Sequence, residues 1–356
     1  MKNISKQTKQ NLITYGMVIV FFVIMQTLVA TGSLSSLFKG LLVPVCVYTI
    51  MAVSLNLTVG ILGELSLGHA GFMCLGAFTS AFFSMCLRNS GMNSVLRFVI
   101  AIILGALVAA VFGILIGIPV LRLRGDYLAI VTLAFGEIIK NVINALYVGK
   151  DSRGFHISIT DTASLGLEPD GEVIIKGAQG ITGTPNDSTF TIGFIILLIT
   201  LFIVINFTNS RAGRAVMAIR DNRIAAESVG INISKYKLMA FAISASLAGA
   251  AGALYAHNLA TLNALPKNFG YNMSIMILVY VVLGGIGNIR GSVIAAAILT
   301  VLPELLRGFS DYRMLIYSIV LIAMMLFNSS PKALEFREKY GIKRIVANWK
   351  NKKEEK

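Results

Sequence analysis

Charge is what this chain has least of. Only 13% of its 356 residues are Asp, Glu, Lys or Arg, while 56% are hydrophobic. A soluble domain usually carries about 25% charged residues, so an ordinary soluble enzyme or binding domain is excluded. Cysteine is scarce as well. Cys46, Cys74 and Cys86 lie in apolar runs at no metal-ligand spacing and read as small buried hydrophobes. No G-x-x-x-x-G-K-[ST] occurs, so the chain lacks the loop that cradles nucleotide phosphates, and any ATP hydrolysis must come from another polypeptide. No G-x-G-x-x-G follows a strand, and the run Gly284-Gly285-Ile286-Gly287 resembles a dinucleotide fingerprint only superficially. Neither a separate soluble domain nor a clear internal repeat is visible. We expect no catalytic residue, metal or cofactor in this chain.

What is present is apolar sequence in long runs. Crossing a bilayer takes about 20 apolar residues per helix, and barrel strands would be short and alternating. The runs therefore predict an all-α polytopic membrane protein of about ten transmembrane helices, some broken or re-entrant. They lie near 12–31, 41–60, 70–87, 98–120, 127–148, 189–208, 238–258, 273–288, 292–306 and 314–327, the last three being short. The first run is too long for a signal-peptide core and no A-x-A site follows it, so it reads as a retained span.

The formal net charge of +14 suggests nucleic acid until its distribution is counted. With the N-terminus in the cytoplasm and alternating spans, 21 of the 31 basic residues fall inside and nine outside, and Lys140 falls within a span. This is the positive-inside bias, and it places both termini in the cytoplasm. The organisation predicted is a cytoplasmic N-terminus at 1–11, a membrane domain at 12–328 and a basic cytoplasmic tail at 329–356 that rests on anionic lipid. Two long segments leave the membrane: a polar outer loop at 149–188 and a basic cytoplasmic loop at 209–237.

Four constellations stand out. From Gly60 to Gly76 the chain carries five glycines, with Gly63, Glu64, Ser66, Gly68 and His69 among them, between two apolar runs. In a transporter this pattern reads as a broken helix whose free N–H groups face a polar path; the plainer reading is a turn whose glycines serve close packing. Next, Glu137, Asn141 and Asn144 share one helix face, and Lys140 is within pairing reach of Glu137. Ionisable groups at membrane depth rarely face lipid, so this face lines a path or holds a structural ion pair. Third, in the 209–237 loop Asp221 or Asn222 is a good N-cap. Ile224, Ala225, Ala226 and Glu227 suit a short helix, and Gly230 is placed to end it. The product is a capped knob that can sit in a partner's groove. Fourth, Ser244, Ala245, Ala248, Gly249, Gly252 and Ala253 form a small-residue face for helix packing. The glycines at 284–291 do the same and are placed to break a helix.

Several blocks are similar to a known family. GELSLGHAGFMCLGAF at 63–78, LRLRGDYLAIVTLAFGEIIKNV at 121–142, GAQGITGTP at 177–185, the block from Asn209 to His257, VVLGGIGNIRGS at 281–292 and LPELLR at 302–307 occur in order. Over about residues 45–328 the chain resembles the branched-chain amino acid ABC permease family, in particular its M-type subunit. The resemblance implies uptake of leucine, isoleucine and valine by alternating access. It also implies a homologous second permease, two ATPase subunits and an external solute-binding protein. The segment from Asn222 to Gly230, with Ala225 and Ala226, would sit in the ATPase groove. The path would run near Gly63, Glu64, Ser66, Gly68, His69, Glu137 and Asn141. The chain departs from the pattern at Glu64, where an uncharged residue is expected, at Phe78 in place of tyrosine, and at Ala333 in place of glycine. A permease for urea or another amino acid shares this architecture. From other classes, an ion-coupled secondary transporter working through Glu137 and Lys140, and a non-transporting scaffold, remain as alternatives.

Overall fold

The computed structural model describes residues 6–88, 91–123 and 125–329. It divides into two compact units, 1–300 and 301–356. In the first unit an apolar helix α1 (Lys6–Ala30) precedes α2 (Ser36–Asn56). The backbone of α2 continues into a single π-turn at Leu57–Leu62, then breaks at Gly63. Helix α3 (His69–Cys86) follows, then α4 (Ser94–Val120) and α5 (Asp126–Ala145). Residues 147–182 form short strands, and α6 (Phe190–Asn209) returns across the membrane domain. Two short helices, α7 (Arg211–Asp221) and α8 (Arg223–Ser228), lead to the long α9 (Ile233–Ala256). A single turn α10 (Pro266–Phe269), α11 (Tyr271–Gly284) and α12 (Ile289–Leu305) follow. In the second unit a 3₁₀ turn at Leu306–Tyr312 precedes α13 (Arg313–Ser329).

Among the described residues eight helices are long and apolar enough to cross a membrane. Helices are the expected form, because backbone N–H and C=O groups find no water in the bilayer core. The two remaining apolar helices, α11 with 14 residues and α13 with 17, fall short of the usual spanning length. The expectation of about ten spans therefore stands at eight by length among the described residues, with two further apolar helices that are shorter. The basic tail expected to lie on lipid falls, apart from Ser329, outside the described residues.

The core of the first unit is built by small residues. Helix α9 packs against α3 and α4 at Gly249, where an added Cβ would lie 2.4 Å from Ala109 Cβ and 2.7 Å from the Gly105 carbonyl oxygen. A Cβ on Gly76 of α3 would meet the Gly249 carbonyl at 2.1 Å. The backbones thus approach as closely as small residues permit. The interior-facing side of α2 is almost wholly buried from Leu42 to Asn56. By contrast α4 presents a row of exposed apolar side chains, Leu107, Val111, Leu115 and Ile118, as a lipid-facing helix does.

The segment at 149–188 is more ordered than a polar loop. Strands β1 (Tyr147–Asp151), β2 (Gly154–Ser158) and β3 (Glu172–Lys176) form an antiparallel sheet in the order β2-β1-β3. A second pair joins β4 (Ile181–Thr182) to β5 (Thr261–Leu262). Asp151 closes the β1–β2 turn by accepting from the Arg153 and Gly154 amides. Arg97 of α4 pairs with Asp187 at 2.8 Å and fastens the end of this segment to the bundle.

Candidate functional site

The break between α2 and α3 is tied to several other elements. A π-turn widens the helix by one residue and loosens its hydrogen-bond ladder. Gly63 then adopts φ +79°, ψ +19°, a left-handed conformation that glycine takes without strain. Beside the π-turn, the amide of Gly287 donates to Asn56 Oδ1 at 2.8 Å, and Asn56 Nδ2 donates to Ser292 Oγ at 3.0 Å. Gly287 belongs to the link between α11 and α12, where Gly285 and Gly287 have φ of +91° and +79°. The approach leaves no room: a Cβ on Gly60 would lie 2.3 Å from the Gly287 nitrogen. Two breaks, one in each of two helical pairs, therefore dock on one another through Asn56.

The loop at 211–232 reaches the same place. Arg220, near the end of α7, donates from Nη1 to the Gly60 carbonyl at 2.8 Å, an oxygen at the π-turn. Its methylenes lie where a Gly63 side chain would be, 2.5 Å from that missing Cβ. Asn222 then caps α8, accepting from the Ala225 amide at 3.0 Å. Gly230, at φ +83°, closes the other end, where the Ile231 amide donates back to the Ala226 carbonyl at 3.1 Å. The helix cap belongs to Asn222, while Asp221 instead accepts from Arg220. Ala226 is buried with Ile219 and Ile233 and anchors the knob. Ala225 and Glu227 are exposed, and Ile224 and Val229 are exposed to 82% and 75%. Two large apolar side chains standing in water at the tip of a short helix are what a docking contact needs.

The other residues singled out from the sequence are placed as follows. Glu64 forms an ion pair with Lys237 of α9, both side chains being largely buried. A cavity of roughly 180 Å³ borders this pair and is also lined by Gly63, Gly125, Arg220 and Arg223. Ser66 is buried, as is His69, whose Nε2 lies 2.7 Å from Ser54 Oγ. Gly68 packs on the Thr132 carbonyl, where a Cβ would come within 2.1 Å. Two amides at this break are capped from elsewhere: Ala70 of α3 donates to Ser274 Oγ at 3.0 Å, and Leu67, ahead of that helix, donates to Thr132 Oγ1 at 3.0 Å. Two of the N–H groups expected to be free at this break are thus taken up by hydroxyls of α11 and α5. Glu137 pairs with Lys140 and accepts from the Tyr271 amide, the first of α11, at 2.8 Å. A carboxylate at a helix N-terminus is a favourable arrangement. Asn144 donates to the Ala264 carbonyl. Asn141 is exposed on α5, on the stripe of Tyr127, Ile130, Ala134 and Ile138.

Sequence reasoning missed Arg220, Lys237, Val229 and the Asn56–Gly287 contact. Asn56 carried a signal, since a carboxamide in an apolar run is costly unless it is partnered. Arg220 carried none, being one of six basic residues from Arg211 to Lys237.

With this geometry described, comparison with known proteins adds the following. The family model described as branched-chain amino acid transport system / permease component matches residues 37–328. The chain is 35% identical over 291 residues to the high-affinity branched-chain amino acid transport system permease protein LivM of Salmonella typhimurium. That alignment covers 79% of this chain and 66% of the relative. The corresponding protein of Escherichia coli is 34% identical over the same length. The permease protein LivH of Salmonella typhimurium is 23% identical over 286 residues, covering 78% of this chain and 88% of the relative. No solved structure matches the chain.

Proposed function

This chain belongs to the family of permease components of branched-chain amino acid transport systems, and from that premise we propose that it is one membrane subunit of an ATP-driven importer of leucine, isoleucine and valine. It is a multi-pass membrane protein. In this reading it pairs with a homologous second permease, and two ATPase subunits dock beneath it. A solute-binding protein delivers substrate from outside, and both termini lie in the cytoplasm. The chain itself performs no catalysis. The relatives' part in branched-chain amino acid transport supports the substrate class.

The observation that carries the proposal is the continuous link from an exposed knob to a broken helix. Asp221, Asn222, Ile224, Ala225, Ala226, Glu227 and Gly230 form the ATPase contact, to which Val229 is added. When the ATPases close on nucleotide, α8 moves with them. Ala226 fixes α8 to α7 and α9, so the motion reaches Arg220. Arg220 holds the Gly60 carbonyl, and Gly60 abuts Gly287. A displacement of the knob therefore shifts both breaks together. A π-turn followed by a left-handed glycine is a mechanical weak point that can absorb such a shift.

Along the path, the residues named from the sequence take two roles. Gly63, Glu64, Ser66, Gly68 and His69 form the hinge wall, with Glu64 neutralised by Lys237 so that no net charge is offered to a zwitterion. Glu137 and Asn141 lie on α5, whose exposed stripe is covered by the second permease, and their polar groups border the route between the two subunits. Charge pairing within the chain argues against a coupling-ion site at Glu137, because Lys140 and the Tyr271 amide already satisfy it.

The test is the pair Ala225→Glu and Gly230→Pro. Each is expected to abolish ATP-dependent uptake while the chain still inserts and pairs with the second permease. Unchanged uptake with ATPase subunits still co-purifying would overturn the coupling role.

A further inference from the structure

A groove of roughly 290 Å³ opens where the end of α4 meets the beginning of α9, and it plays no part in the link just described. Its wall is apolar on one side, from Gly117, Ile118, Leu121 and Leu238. Its rim carries Arg122 and Lys235, and no acidic residue lines it. Among the described residues neither side chain makes an ion pair or hydrogen bond. Lys237, two residues along the same helix, shows the contrast, since it is buried and paired with Glu64.

The rim offers further donors. Asn232 Oδ1 accepts from the Lys235 amide at 3.0 Å, which leaves its own NH₂ group available. The first amides of a helix, here Ile233 and Ser234, have no intrahelical acceptor. Two cations, a carboxamide and the Ser234 hydroxyl thus line one largely apolar trough, beside the start of α9.

The trough has a direction. Beyond its lining residue Ile118, a row of exposed apolar side chains, Leu115, Val111 and Leu107, runs on along α4. Ile118 to Leu107 is eleven residues, or about 16 Å at 1.5 Å per residue. One leaflet of hydrocarbon is about 15 Å deep, half of the usual core. The stripe is as long as one acyl chain, and the cations sit where a headgroup would begin.

We propose that this groove is a binding site for an anionic glycerophospholipid, its phosphate held by Arg122, Lys235 and the start of α9, and one acyl chain lying along α4. Under the orientation proposed above the lipid belongs to the cytoplasmic leaflet. Only that assignment rests on the import reading, because lipid retention is measured without transport. A lipid bound here braces α9 two residues from Lys237, which holds the hinge wall at Glu64.

The test uses the full purified chain in detergent, titrated with phosphatidylglycerol, phosphatidylcholine or inorganic phosphate and read by native mass spectrometry. The wild-type chain is expected to retain phosphatidylglycerol well above phosphatidylcholine. Replacing both cations, Arg122→Gln with Lys235→Gln, is expected to weaken that retention about thirtyfold, each basic residue near an anionic lipid surface contributing roughly equally. The charge-matched control Lys39→Gln with Lys267→Gln leaves retention unchanged. Leu238→Trp, which fills the trough and keeps both cations, also lowers it, and serves as the deciding variant if the double glutamine chain does not fold. Equal retention in the double glutamine chain, or in Leu238→Trp, would overturn the site. Displacement of the lipid by millimolar inorganic phosphate would reduce it to a free-anion site, and retention of phosphatidylcholine as strong as of phosphatidylglycerol would remove the role of the cations.

Discussion

Arg220→Met separates the two ends of the proposed transmission route while leaving both ends in place. Methionine keeps an unbranched, apolar stem over Gly63, where Arg220 methylenes now pack, and removes the donor to the Gly60 carbonyl, held at 2.8 Å. A hydrogen bond from a charged group is worth about 1.5–3 kcal/mol. The accompanying contact with Asp221 is largely exposed and adds little. If the knob drives the break through this bond, losing it removes about 1.5–3 kcal/mol of coupling, a factor of about 10 to 150. The assay is the assembled importer in proteoliposomes, with uptake and ATP hydrolysis followed on the same sample. Expected are intact assembly, unchanged basal hydrolysis and at least a tenfold drop in substrate carried per ATP. Arg220→Lys should fall in between, since an ammonium supplies a point charge without the planar fork. Undiminished transport per ATP in Arg220→Met would refute the route, and so would a loss that merely tracks failed assembly.

The remaining predictions concern the parts on which that route depends. Glu64→Gln leaves the buried Lys237 unpaired and should lower the thermal midpoint of the purified chain, because breaking a buried pair costs about 3–5 kcal/mol. Glu64→Leu with Lys237→Leu should restore most of it, and a double variant no better than the single one would contradict the pairing. Gly249→Val drives side-chain atoms into Ala109 and the Gly105 carbonyl; it should abolish monodisperse expression, and a folded, unaltered protein would show that the α4–α9 contact is looser than described. Asn222→Ala removes the α8 cap, about 1 kcal/mol, and should weaken ATPase co-purification severalfold without affecting insertion.

How much of this was legible beforehand depends on what each feature leaves in a sequence. Spans could be read because apolar length is a one-dimensional signal: the runs near 70–87, 98–120 and 189–208 lie within a few residues of α3, α4 and α6. The α8 knob was legible for a similar reason, since Asn222 and Gly230 act within a few residues of themselves. Strand β1 was not, because its partners β2 and β3 come from a segment whose glycine and aspartate content reads as a loop, and pairing is set by register rather than composition. The hinge was half legible. Glycines from Gly60 to Gly76 announced a break, but nothing local said that Thr132 and Ser274 would take up two of its amides, or that the Gly287 amide would dock on Asn56, partners between 65 and more than 200 residues away. Glu64 looked like a substrate-facing anomaly until Lys237 was seen beside it.

In the proposed reading this chain carries branched-chain amino acids only as part of an ATP-driven assembly. The most direct test of that reading is uptake of labelled leucine into proteoliposomes holding the chain with its second permease and ATPases, supplied with binding protein. Uptake is expected to need ATP, to be competed by isoleucine and valine, and to be untouched by urea. Leucine uptake by the isolated chain under a proton or sodium gradient, or ATP-dependent uptake of urea in place of leucine, would contradict it.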